Sequence, residues 1–255
     1  HIVNYKMDPD DPAFTGQNHD GVMRFVGGGD FLLIEDCKLE YGEIVVQGYE
    51  GNHHTNVTVH RNIVTDHYWF GSTHDNSKRP SGIYAADVVG LTITENVFDH
   101  NGWNAQFEDT QANMYNHNMY LQYSNDGKTM VVRGNIVTRA SSHGIQGRPG
   151  GLFEDNLIVR NSIGLLIGYS QVPLKEGVHA VARNNVILNG KRMMPDKSTE
   201  PQTAAVWGLD VDNLGEGAIT LENNIVANRL ESGSNSGITN LAGVTYIDNI
   251  QYNWG

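Results

Sequence analysis

Two imidazoles, a phenol and a guanidinium fall close together in the chain, at His117, Tyr120, His143 and Arg148. Together they meet the demands of β-elimination from a uronic acid. The substrate carboxylate must be neutralised to acidify the neighbouring C–H, a base must take that proton, and an acid must protonate the departing glycosidic oxygen. Arg148, or Arg139, supplies the cation. His143, or His117, is the base, since an imidazole titrates near neutral pH without help. Tyr120 is the acid, provided a cation lies close enough to assist a phenol. The competing reading of the two histidines is structural, as corner residues bonded to backbone.

The spacing explains why these residues should meet. His117-Asn118-Met119-Tyr120-Leu121-Gln122 and His143-Gly144-Ile145-Gln146-Gly147-Arg148 read as two copies of one strand. With Met119 and Ile145 aligned as inward residues, His117 stacks over His143, Tyr120 over Gln146 and Gln122 over Arg148. Tyr84 falls on one side of this set and Leu166 on the other. Side chains alternate along a strand, so Tyr84, Tyr120, Gln122, Gln146 and Arg148 form an outward strip. Aromatic faces beside hydrogen-bonding side chains suit a sugar, whose C–H groups pack on a ring while its hydroxyls need partners.

The elements that must position this strip are visible in one motif, Asn followed by two apolar residues. It recurs at Asn62, Asn96, Asn135, Asn156, Asn185 and Asn224, shortens at Asn249, and Cys37 fills the same place one step earlier as a buried residue. The intervals from Cys37 are 25, 34, 39, 21, 29, 39 and 25 residues. A floor near the shortest of these, with irregular excess above it, means a constant coil of three short strands into which loops are inserted. The repeated Asn has a bend to hold, where its amide can bond to backbone and to the Asn of the next coil. Helical periodicity is absent and the β-branched content of the rungs points to strands.

The residue four places after each ladder Asn gives a second column of Asp66, His100, Arg139, Arg160, Asn189 and Asn228. It reads either as a solvated corner or, at His100, Arg139 and Arg160, as a binding surface in which the two arginines hold an anion between them. Residues 1–30 lack alternation and are expected to be a cap or irregular lead-in, with the coils over 31–255. Loops are inserted near 66–82, 99–116 and 190–203. The first carries His67, Tyr68, Trp69, His74, Asp75, Lys78 and Arg79, and the second carries His100, Asn101, Trp103, Asn104, Gln106, Glu108 and Asp109. Long connections on a rigid scaffold are where function concentrates, so these loops are expected to wall a groove with Trp103 among its sugar-binding residues.

The Asn ladder, the aliphatic stacks and the variable inserts resemble the right-handed parallel β-helix proteins of the pectate-lyase-like superfamily over roughly residues 31 to 250. The resemblance is one of pattern. It implies an all-β, right-handed parallel β-helix and an association with polysaccharide lyases, glycoside hydrolases, uronate epimerases and phage tail enzymes, and a fold alone does not choose among these. It also implies a secreted, periplasmic or cell-surface setting.

Elimination from a uronic-acid glycan leads among the activities. C5-epimerisation begins with the same proton abstraction, and hydrolysis needs a carboxyl pair that the outward strip does not offer, leaving Asp66, Asp75, Asp99, Glu108 and Asp109 as corner and loop candidates. A non-catalytic carbohydrate-binding or structural module would use Tyr84, Trp103 and Trp207 as platforms without an acid–base set. The partner in each case is a polysaccharide or oligosaccharide.

A formal charge of -12 over 255 residues disfavours a general nucleic-acid surface, though a local positive patch can still hold an acidic polysaccharide. Its 29 glycines, without a collagen period, serve turns. Membrane insertion is not expected, because no apolar run reaches the length of a span. No signal peptide is visible, and since the chain opens at His1 rather than Met, removal of upstream sequence is expected. No cofactor is required by the residues. Calcium is the candidate cation, and Asp8, Asp10 and Asp11 match a hard-cation site in composition while lacking the grammar of a calcium loop.

Overall fold

A computed structural model describes residues 1–18, 22–72, 78–193, 206–228 and 236–253. His74 and Asp75, and most of the insert near 190–203, lie outside the described residues. The chain forms a right-handed parallel β-helix with three long parallel sheets. Each coil contributes one strand to each sheet, as in the run His117–Leu121, Val131–Arg133, Ile136–Thr138 and then His143–Gly147.

The first sheet, called here the cleft sheet, has eight strands among the described residues. Its central strands are Ser81–Ala86, His117–Leu121, His143–Gly147, Ile163–Ile167 and Trp207–Val211. Their register stacks Ile83, Met119, Ile145, Leu165 and Leu209 inward and Tyr84, Tyr120, Gln146, Leu166 and Asp210 outward. The inward set is fully buried, and the alternation of a pleated strand leaves the other set facing out. Period-2 patterning therefore fixes register, since a slip of one residue would turn the apolar set to solvent.

The ladder lies at the bend between the second and third strand of each coil. Asn62 Nδ2 donates to Asn96 Oδ1 at 3.0 Å, and the same link joins Asn96 to Asn135, Asn135 to Asn156, Asn156 to Asn185, Asn185 to Asn224 and Asn224 to Asn249. Each Oδ1 also accepts the backbone N–H of the previous Asn. Every ladder amide from Asn62 to Asn224 is buried, where an unpaired amide would be costly. Cys37 heads the column as expected, its N–H donating to Asn62 Oδ1 at 3.0 Å. It is only partly buried, however, because it lies near the end of the stack rather than within it.

A second, shorter asparagine chain holds the corner where the third strand turns into the next cleft-sheet strand. Asn101 Oδ1 accepts the His67 N–H, Asn118 Oδ1 accepts from Asn101, and Asn161 Oδ1 accepts the Ala140 N–H. Asn101, expected among the loop residues, is thus a buried structural amide. Beside it Gly144, Gly164 and Gly208 keep the corner tight, since a Cβ at Gly164 would meet Gly208 O at 2.4 Å and one at Gly208 would meet Val226 at 2.3 Å.

Residues 1–30 supply strands of their own. Ile2–Val3 pairs with Leu39 and Glu40, and Met23–Gly27 pairs with Ile44–Gly48. The inserts at 66–80 and 100–116 both leave from the third-to-first corner. Phe70 and Phe107 pack 4.9 Å apart, Phe14 of the lead-in stacks on Phe107 at 5.7 Å, and Tyr68 Oη donates to Met7 O at 2.8 Å. The lead-in therefore braces the two loops against each other.

Replacing Asn156 by Ala strips the buried Asn135 N–H of its acceptor, a loss expected to cost ~1–3 kcal/mol. The same change at the partly buried Asn249 should cost less. Urea midpoints for the two variants give the comparison, and equal losses would deny the ladder its role in the core.

Candidate functional site

The outward strip of the cleft sheet forms the floor of a cleft of about 600 Å³, a volume suited to a small ligand or a few units of a polymer. Arg79 is shared with an adjoining hollow of about 510 Å³ that Tyr84, Tyr120 and Gln122 line. Both draw their floor from successive cleft-sheet strands and so run across the coils. Walls come from the inserts, with Trp69 and Arg79 from the first and Met114 and Tyr115 from the second. Tyr169, from the loop after Ile163–Ile167, closes the opposite side and stacks on Tyr123 with ring centres 6.1 Å apart.

Seven residues expected at the site are gathered there: His117, His143, Tyr120, Arg148, Tyr84, Gln122 and Gln146. The two imidazoles sit edge to face with centroids 4.7 Å apart, and His117 lies 5.0 Å from the Tyr120 ring. Both are buried. Their partner is the Ser142 hydroxyl rather than backbone, because His117 Nδ1 and His143 Nδ1 each lie 3.0 Å from Ser142 Oγ.

That hydroxyl has one proton, and two carbonyls compete for it, Met114 O at 2.8 Å and Asn116 O at 3.0 Å. Carbonyls only accept, and Asn116 O already takes the Ser142 N–H, so the hydroxyl proton goes to Met114 O and the oxygen accepts from both rings. This network assigns the Nδ1–H tautomer to both histidines. Each Nε2 then carries a lone pair and can act as a base.

Burial, with the cation of Arg148 adding to it, pushes the His143 imidazolium down to about 3. His117 is held well below the usual imidazole range by burial first and then by His143, Arg148 and Arg79. Both rings are neutral at neutral pH. His67, fully buried and bonded to Ser81 O at 2.8 Å, is pushed down to about 4 by burial.

The phenol is equally constrained. Tyr120 Oη accepts from Arg79 Nη1 at 3.2 Å and from Gln122 Nε2 at 3.1 Å. With both acceptor positions filled, its own O–H remains for a ligand. Arg148 lies 4.8 Å above the Tyr120 ring and 3.8 Å above that of Tyr169, and donates to Gln122 Oε1 at 3.1 Å. Its Nε is buried without a hydrogen-bond partner, and so is Oε1 of Gln146, a residue only 6% exposed. Unsatisfied buried polar atoms are rare in native structures, and at a cleft floor they are groups a ligand can satisfy.

His100, Trp103, Arg139 and Arg160, expected among the sugar-binding residues, are not among the residues that line this cleft. His100, Arg139 and Arg160 occupy the corner column with φ of 58°, 52° and 56°. The anion beside Arg139 is the chain's own Asp99, bonded through Nε at 2.7 Å, and His100 bonds Asp66 at 2.7 Å. Trp103 packs on His100 and donates its indole N–H to Arg139 O. The column is a salt-bridged corner. Arg160 is exposed there.

Ser142, Asp210 and Asp212 were not singled out for the cleft from sequence, and Arg79 was named only as part of its insert. Ser142 immediately precedes His143, and adjacency was its signal. Arg79 belongs to an insert with no period to locate it. Asp210 and Asp212 lie on the outward face of Trp207–Val211 and its end, so the floor does carry a carboxyl pair after all. Carrying the strand alignment two coils beyond Gln146 and Arg148 would have reached both. Burial is the main influence holding each of them above the usual carboxylate range, and Asp210 accepts a hydrogen bond from Thr239.

Among the described residues, no three His, Cys, Asp or Glu side chains come together in a way that could hold a metal ion. Among the described residues, no helix is long and apolar enough to cross a membrane. No protein-family model matches the chain, and neither does any curated protein.

The depressed histidines predict an acid-sensitive fold. A group with its folded pKa below the unfolded value of ~6.5 contributes stability in full above that pH and loses it as pH falls towards the folded value. Each of His67, His117 and His143 is thus expected to add a slope of up to ~1.4 kcal/mol per pH unit below about pH 6.5. Urea midpoints measured from pH 7 to pH 4 should fall, and His67→Gln should flatten the decline. A midpoint independent of pH over that range would contradict neutral burial.

Proposed function

We propose that this chain is a polysaccharide lyase that cleaves a uronic-acid-containing glycan by β-elimination, on a scaffold of the kind found in the pectate-lyase-like superfamily. The observation carrying this reading is the shared Ser142 hydroxyl, which turns two neutral histidines into paired Nε2 bases beside a phenol and two guanidinium groups. A binding platform has no need of that tautomer control.

In the reaction, the uronate carboxylate lies against Arg148 and Arg79, and neutralisation acidifies the C5–H. Nε2 of His143 takes the proton, and His117 is the second candidate for this base. The C5–H electron pair forms the C4–C5 double bond while the C4–O bond breaks and its electrons leave with the glycosidic oxygen. Tyr120 Oη protonates that oxygen. A bound carboxylate also offsets the repulsion between Arg148 and the His143 imidazolium, so His143 becomes a stronger base in the complex than in the free protein. The substrate class is consistent with a secreted, periplasmic or cell-surface location.

Hydrolysis is the second reading, favoured specifically by Asp210 and Asp212. Burial keeps a proton on a carboxyl more readily, which suits a general acid. Their place two coils from Arg148 and three from Tyr120 separates them from the cations that would hold a uronate, and elimination is preferred on that ground.

Incubation with a panel of uronate glycans, with and without calcium, should produce the ultraviolet absorbance of an unsaturated uronate. New reducing ends without that absorbance would select hydrolysis instead. His143→Ala and Tyr120→Phe are each expected to lower kcat by about 10²–10⁴-fold with ligand binding retained. Full activity in His143→Ala would remove its role as base. Because the free histidines are already neutral, the acid limb of kcat/KM should lie below the ordinary imidazole range, and a limb near pH 6.5 would contradict the assignment.

A further inference from the structure

Two polar atoms from one coil of the cleft floor are buried with nothing to bond, and they are of opposite kind. Arg148 Nε is a donor and Gln146 Oε1 an acceptor. Both side chains line the cleft from positions two residues apart, at the end of His143–Gly147 and just beyond it. That interval is roughly 7 Å of strand, on the scale of a single sugar ring. Gln146 is only 6% exposed. Its neighbours in register are Tyr120 on the coil before and Leu166 on the coil after, and Leu166 has no donor to give. Arg148 turns its Nη1 to Gln122 Oε1 and leaves Gln146 unserved.

We propose that Gln146 is a specificity-determining residue, which reads an unsubstituted hydroxyl on the same ring whose carboxylate Arg148 holds, and that the substrate class is thereby narrowed to uronate glycans with no ester or ether on that hydroxyl. The inference rests on the uronate reading above and deepens it.

The chemistry of the ring limits which hydroxyl this can be. Elimination breaks the C4–O bond, so C4 carries one glycosidic oxygen, C1 carries the other, and C5 bears the carboxylate. Hydroxyls remain at C2 and C3. With the carboxylate accepting from Arg148 Nε, one of these two supplies the proton that Gln146 Oε1 lacks. A sugar covering the floor also takes solvent away from that oxygen, and a buried acceptor left without a donor is costly. An acyl or alkyl group on the hydroxyl removes the proton and sets added bulk against a buried side chain. Sites built to hydrogen-bond a hydroxyl discriminate strongly against ligands that cannot supply it, for the first of these reasons.

Calorimetry on His143→Ala, which is expected to bind without turnover, supplies the test. The probes are trimers of 1,4-linked glucuronate, galacturonate and mannuronate, each unsubstituted, methylated at the C2 hydroxyls or methylated at the C3 hydroxyls. A methyl ether keeps the lone pairs of the oxygen and removes only its proton. One of the two ethers is expected to bind at least about tenfold more weakly than its parent, and which one it is identifies the hydroxyl. Adding Gln146→Ala, which removes the acceptor and opens space, should weaken the parent and close the gap. Gln146→Met, of similar length but without the amide oxygen, should narrow it too. Ethers that both bind as tightly as the parent would mean that the amide turns its N–H to the ring, since an ether oxygen accepts as a hydroxyl does, and would overturn the proposal. A gap that survives both substitutions at Gln146 would do the same. Failure of the lyase reading shows separately, as an intact ether preference with no unsaturated product from the unsubstituted trimers and the unaltered chain. Binding of none of the trimers overturns both.

Discussion

The hydrogen bond from one buried asparagine amide to the asparagine of the next coil keeps the stack in phase, and everything at the cleft depends on that phase. Seven amides run in a chain from Asn62 to Asn249. Each closes its own bend, while its carbonyl oxygen satisfies the N–H of the coil before it. A coil that rotated against its neighbour would strand buried donors at the bend and would also carry its outward side chains out of line. The corner at Asn101 and Asn118 repeats the device next to the cleft sheet. Cleft side chains such as His117 and His143, drawn from separate coils, can therefore sit within ångströms of one another.

Burial and charge then set the chemistry of those groups. The chain is acidic overall at -12, yet Arg79 and Arg148 face its cleft and the two histidines between them are neutral. One serine proton, committed to a backbone carbonyl, determines which nitrogen of each ring is free. Removing the Ser142 hydroxyl would leave each ring free to choose its tautomer, a change to the base that no other contact in the cleft would correct.

How much of this was legible in the sequence depended on whether the signal was repeated. The ladder and the strand alignment were legible because coil after coil asks the same question of the same position, and the stacking of His117 over His143 and of Tyr120 over Gln146 follows from it. The corner column was equally legible as a column. Its internal pairing was not legible, because Asp99 lies one residue outside the column and its carboxylate bonds Arg139. Arg79 was named within its insert, but no period places a loop residue against the phenol of the next coil's strand. Asp210 and Asp212 were readable in principle, separated from the pattern only by the long insert that precedes Trp207.

The cleft runs across the strands, so its lining changes by whole coils. On the function proposed above, such a groove would work as a ruler graduated in coil spacings, a polymer being measured by how its own repeat falls against those graduations. Lengthening or trimming a loop at the third-to-first corner alters the walls of the groove without moving a single mark on the scale. An inserted or deleted coil would do the reverse, shifting every mark beyond it by one division while leaving the walls of the remaining coils as they were. Specificity on this scaffold thus has two independent settings, one in the loops and one in the count of coils between the guanidinium and the carboxylates.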